Sequence, residues 1–143
     1  MIRQAVAEAA NAFVGTGLAE VVLIVDDDNE VAETCALVLK KAGLDCSLAN
    51  DSPAALDLFD SRPPELVLCD INLPSSDGFE VARRVRQKSP ETPVILMTTQ
   101  DRNHTREKAA QAGAAGFLGK PFSNADLIRT VTSILGENCS LPT

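Results

Sequence analysis

The feature that most constrains this chain is a short apolar run that recurs five times: "VVLIV" at 21, "LDCSLA" at 44, "ELVLC" at 65, "PVILM" at 93 and "AAGFL" at 114. Runs this short and this rich in aliphatic residues predict strands. Four are continuous, as strands covered on both faces require, whereas "LDCSLA" alternates and suits a place nearer a sheet edge. The intervening segments carry helical spacing at Val31, Cys35, Val38, Leu39 and Ala42, at Ala55, Leu56 and Phe59, at Phe79, Ala82 and Val85, and from Leu127 through Ile128, Val131 and Ile134 to Leu135. Punctuation agrees. Pro53 sits where a first helical residue belongs, "SNAD" at 123 has capping-box spacing, and Gly43 and Gly113 stand where helices should stop. Strand and helix thus alternate five times, and right-handed crossovers turn that order into an α/β fold: a doubly wound, five-stranded parallel sheet with five helices, (βα)5.

A chain of 143 residues, 45% of them hydrophobic, suits one domain with one sizeable core. The unit is expected over 19–136, preceded by an extension over 1–18 whose Ile2, Val6, Ala9 and Phe13 allow a short N-terminal helix, and followed by a tail over 137–143 too short for an output domain. A net charge of −7 and the absence of Trp and Tyr argue against direct nucleic-acid binding, which relies on basic surface and aromatic platforms. No apolar stretch reaches the length of a membrane span, and Glu8 and Asn11 interrupt any leader-like segment, so a cytoplasmic location is expected. Cys35, Cys46, Cys69 and Cys139 form no CxxC pair or metal spacing, and the three that sit inside apolar segments read as small hydrophobes in a reducing compartment.

Doubly wound sheets place their sites at the carboxyl ends of the strands. Asp26, Asp27 and Asp28 follow the first run, Asp70 the third, Thr98 and Thr99 the fourth, and Lys120 the fifth. Clustered carboxylates repel unless a cation neutralises them, and a hard oxygen set with room for water and phosphate suits Mg²⁺. Asp26, Asp27 and Asp70 are its candidate ligands. Asp70 is also a candidate nucleophile toward phosphorus, with Lys120 and Thr98 ready to bind phosphoryl oxygens. Asp28 lies nearest the next helix and is assigned to capping rather than metal. His104 and the basic "RRVRQK" at 83 read as solvated helix residues, and Pro74 and Gly78 as shapers of the loop after Asp70.

The segments "VDDD" at 25, "CDINLPSSDGFE" at 69, "PVILMTTQ" at 93 and "GAAGFLGKPF" at 113 together resemble the receiver domain of two-component response regulators, over roughly residues 20 to 136. The resemblance implies a flavodoxin-like fold and a phosphoacceptor regulator rather than an enzyme. It implies that Asp70 takes a phosphoryl group from a sensor histidine kinase or phosphotransfer protein. Mg²⁺ would be held by Asp26, Asp27, Asp70 and the main-chain carbonyl of Asn72, and Thr98 and Lys120 would bind the phosphoryl group. Phe117 matches the switch aromatic, which turns inward as Thr98 moves, and the Lys120–Pro121 bond matches a cis peptide. Asn72 and Gln100 occupy positions that tune the lifetime of the acyl phosphate. Output would pass through the face of the fourth helix, fifth strand and fifth helix to a downstream protein target or a self-dimer. Two alternatives stand beside this reading. A phosphohydrolase with an aspartyl-phosphate intermediate would place its nucleophile in a D-x-D at the first strand and carry a cap, and a receiver-like module would bind partners without phosphorylation.

Overall fold

All five residues of the run at 21 are buried, because helices cover both faces of the strand they form. The structure, a computed structural model, describes residues 20–99 and 102–139. The possible helix within 1–18 and the position of Gln100 lie outside the described residues, as does the side chain of His104. Strands β1 (Val21–Val25), β2 (Asp45–Ala49), β3 (Leu66–Asp70), β4 (Val94–Thr98) and β5 (Gly116–Gly119) form one parallel sheet in the order β2-β1-β3-β4-β5. They alternate with α1 (Asn29–Lys41), α2 (Ser52–Ser61), α3 (Gly78–Lys88), α4 (Arg102–Gln111) and α5 (Asn124–Cys139). This is the doubly wound sheet the alternation implied, in the flavodoxin-like form the resemblance implied.

The core is two-sided. Leu23, Val25, Val67, Cys69 and Leu96 face Ala55 and Phe59 of α2, Val81, Ala82 and Val85 of α3, and Ala109 of α4. Val22, Ile24, Leu66, Leu68, Ile95 and Met97 face Ala32, Cys35 and Leu39 of α1 and Leu127, Val131 and Leu135 of α5. Each fully buried Leu or Ile contributes about 1.5–3 kcal/mol by leaving water. With β1, β3 and β4 sealed on both faces, their carboxyl ends are fixed relative to one another.

Helix ends follow the local chemistry. Pro53 lies in the first turn of α2, whose N-cap Asp51 accepts from the Ala54 N–H at 3.2 Å. The capping box at α5 is reciprocal: Asp126 N–H donates to Ser123 Oγ at 3.0 Å and Ser123 N–H to Asp126 Oδ2 at 3.3 Å. After α1, Gly43 at φ 97° lets its own N–H reach Lys40 O and that of Leu44 reach Leu39 O; Gly113 at φ 88° does the same after α4.

The alternating run is an edge strand, as expected, with Leu48 turned to solvent. The run at 114 is a correction. β5 is the opposite edge and only Leu118 in it is buried, because an apolar run built partly of Ala and Gly has little side chain to bury. Among the described residues, no helix is long and apolar enough to cross a membrane.

Candidate functional site

β1 and β3 pair in parallel with Val25 opposite Cys69, so the residues that come next, Asp26 and Asp70, emerge side by side at the carboxyl edge of the sheet. Asp27 follows directly. Asp26, Asp27 and Asp70 each present a carboxylate oxygen within 4.8 Å of the others, with Asp26 and Asp70 buried and Asp27 exposed. Lys120 arrives from the far edge. Its N–H donates to Thr98 O at 2.8 Å, extending the β4–β5 pairing, and the Lys120–Pro121 bond is cis. Its Nζ donates to Asp26 Oδ2 at 2.8 Å and lies 3.4 Å from Asp70 Oδ1.

The two acids differ in how they are engaged. Asp26 uses both oxygens, Oδ1 accepting the Asp28 N–H at 2.9 Å and Oδ2 the Lys120 amine. Among the described residues, Asp70 Oδ1 meets only Lys120, and Oδ2 accepts no hydrogen bond from the protein. Burial pushes the Asp70 carboxyl above its ordinary range; the attraction of Lys120 opposes this and the charge of Asp26 adds to it. Burial alone would pull the Lys120 amine down, but the hydrogen bond to Asp26 and the charge of Asp70 raise it, so it remains a cation. Asp70 stays raised beside a cation because burial outweighs the attraction of an ammonium that Asp26 shares. The cluster as it stands is short of positive charge, and a divalent cation with oxygen preference fits both the deficit and the donor type.

The remaining predicted residues surround this cluster. Asp28 is the N-cap of α1, accepting from Glu30 and Val31 N–H at 3.0 and 3.3 Å, and stands outside the carboxylate group. Thr98 ends β4 and is fully buried. Asn72 is two residues beyond Asp70 and pairs in an isolated bridge with Asp77, which caps α3 by accepting the Glu80 N–H at 2.9 Å. Phe117 is half-buried against the core on the α4 side, opposite Leu96, and the guanidinium of Arg106 lies 5.0 Å from its ring centroid. Beside Lys120, a cavity of about 450 Å³ between α1 and α5 is lined by apolar residues such as Val31, Val38, Phe122 and Leu127.

Two contributors escaped the sequence reading in their specific roles. A Cβ at Gly78 would stand 2.6 Å from the carbonyl oxygen of Asp70 and 2.9 Å from Ile71 Cα, so this glycine lets the start of α3 close against the very backbone that carries Asp70. The Gly78 N–H donates to Ile71 O at 2.8 Å across that contact. Arg106 drew no reading from the sequence, since nothing in its neighbourhood signals an aromatic partner eleven residues on.

The family model of the response regulator receiver domain matches residues 22–132. Among solved structures, the receiver domain of NtrX from Brucella abortus is 31% identical, with 80% of this chain and 97% of that one covered and a TM-score of 0.76. The chemotaxis response regulator CheY4 of Vibrio cholerae is 29% identical, covering 81% and 98% with a TM-score of 0.77. A CheY-like response regulator receiver domain protein from Methanospirillum hungatei JF-1, at 24% identity and a TM-score of 0.81 over 85% of this chain and 98% of that one, shares the fold. Matched by the family model across the sheet and the whole carboxylate rim, the chain belongs to the response regulator receiver domain family, whose business is phosphorylation-based signalling.

Proposed function

We propose that Asp70 accepts a phosphoryl group from a phosphohistidine on a sensor histidine kinase or phosphotransfer protein, and that the acyl phosphate switches the face of α4, β5 and α5. The observation that carries this assignment is the difference between the two buried acids. Asp26 has both oxygens occupied, whereas Asp70 keeps one free of any protein donor among the described residues and faces a protonated lysine. The same difference disfavours a hydrolase, whose nucleophile would sit where Asp26 is engaged.

In the step itself Asp70 Oδ attacks phosphorus, the P–N bond of the phosphohistidine breaks, and the electron pair remains on the imidazole nitrogen, which takes a proton from solvent. Asp26, Asp27, Asp70 and the main-chain carbonyl of Asn72 are the groups that would hold Mg²⁺. When bound, the ion neutralises the carboxylates and the charge on the incoming phosphoryl oxygens. Lys120 holds its ammonium at the mouth of the acceptor and stabilises the charge that builds on those oxygens. Thr98, at the end of the neighbouring strand, donates its hydroxyl to them once they are present. The largely apolar cavity beside Lys120 offers the phosphodonor protein a seat next to that lysine. With a net charge of −7, the output is a protein contact, either a downstream target or a second copy of the chain, rather than nucleic acid. The thiols of Cys35, Cys46 and Cys69 are free, which suits the cytoplasm.

Incubation with a small phosphodonor and Mg²⁺, read by intact mass, tests the proposal. One phosphoryl adduct is expected on the wild type and none on Asp70→Asn. An unmodified wild type, or an equally modified variant, contradicts it.

A further inference from the structure

Helix α4 holds to the sheet in an unusual way. Its sequence, RNHTREKAAQ, supplies no large apolar side chain, and among its described side chains Thr105 and Ala109 are buried, with Ala112 just beyond its end. What it adds instead are cations over rings: Lys108 Nζ lies 5.3 Å from the Phe79 centroid and the Arg106 guanidinium 5.0 Å from that of Phe117. Among the described residues, Arg106 has no carboxylate or carbonyl partner, and its guanidinium is engaged by the ring.

The seat of Phe117 relates directly to Thr98. In the β4–β5 register Leu96 stands opposite Phe117 and Thr98 opposite Gly119, so strand alternation puts the Thr98 side chain and the Phe117 ring on one face of the sheet, diagonally adjacent. Gly119 contributes no side chain to the diagonal between them. A ring that turns toward Thr98 along this diagonal must leave the guanidinium stacked on its outer side. We propose that Arg106 is a positioning residue for the switch: its cation–π contact clamps Phe117 in the half-buried seat and opposes the inward turn. This rests on the proposed receiver role, in which acylphosphate on Asp70 favours the inward ring. A partly exposed cation–π contact of this kind changes the ratio of the two seats by about two- to five-fold. Charge is what matters, because the negative face of a ring attracts a cation and not a neutral amide. The clamp therefore sets how far the unphosphorylated chain already resembles the phosphorylated one.

The chain has five phenylalanines, so incorporation of fluorophenylalanine gives a small set of ¹⁹F resonances, with that of Phe117 assigned by its loss in Phe117→Leu. A soluble paramagnetic quencher then reads the ring's exposure in the full chain without any phosphodonor. In Arg106→Gln the Phe117 resonance should become less quenched, by a ring population shifted inward about two- to five-fold, and Arg106→Lys should restore most of the wild-type value. With phosphodonor and Mg²⁺ the wild-type resonance should move in the same direction as that of the donor-free Arg106→Gln. A resonance that is unchanged in Arg106→Gln, or more quenched because the ring merely loses its cover, overturns the clamp. A wild type whose mass does not change with the donor sinks the phosphoacceptor reading instead, and the donor-free comparison still decides the clamp.

Discussion

Asp26 engages both its oxygens, Asp28 turns its carboxylate onto the start of α1, and Asp27, exposed beside them, carries neither constraint. The consequences of removing each therefore differ in kind. Asp27→Ala should leave the urea midpoint nearly unchanged yet abolish Mg²⁺-dependent phosphorylation measured by intact mass. Asp28→Ala should retain phosphorylation and lose about 1 kcal/mol of stability, the usual cost of a lost N-cap. Equal phosphorylation of both variants would contradict the division. Asp28's role was legible in the sequence, because a carboxylate immediately ahead of a helix has its backbone donors within reach. The distinction between Asp26 and Asp70 was not, since it depends on which oxygens accept hydrogen bonds, and Lys120 crosses 94 residues to make one of them.

At the scale of elements, the β3–α3 connection and α4 show where the sequence stops short. "DG" at 77 announces a turn or a helix start, but not that the Asp70 carbonyl presses to within 2.6 Å of where a Gly78 Cβ would be. Gly78→Ala must move either α3 or the acceptor strand. It should cost about 1–3 kcal/mol in a urea titration, the range for forced overpacking, and slow phosphorylation at Asp70 as well. A fully active, equally stable variant would mean that the contact relaxes without cost. The helical stripes of α1, α2, α3 and α5 were visible because Leu, Val, Ile and Phe mark one face of each. α4 shows no such stripe, as the buried positions among its described side chains are Thr105 and Ala109. A helix secured by alanine contacts and exposed cations lies toward the weakly held end of the molecule, which suits a segment that moves with a switch.

Over the whole molecule the sheet was the most legible part, since a parallel sheet buried on both faces writes itself as continuous aliphatic runs, and the sites it carries fall at strand ends. β5 was harder to place, because Ala and Gly look apolar without filling a core. The same two-sided burial shapes the pH response. Burial, reinforced by the charge of Asp26, pushes the Cys35 thiol up to about 11 from 9.0, and burial also pushes Cys46 up to about 11. The folded chain thus keeps protons that the unfolded chain releases, so this stability is complete below pH 9.0 and is lost as pH rises toward about 11. Urea titrations across that window should show a steeper loss in the wild type than in a Cys35→Ala, Cys46→Ala double variant; parallel curves would contradict the assignment. The central claim concerns one oxygen. Phosphodonor-treated protein reduced with borohydride converts an aspartyl phosphate to homoserine, and peptide mass spectrometry then locates it. Homoserine at position 70 alone is the predicted result, and homoserine at position 26 or 27, or at none of the three, would contradict the account.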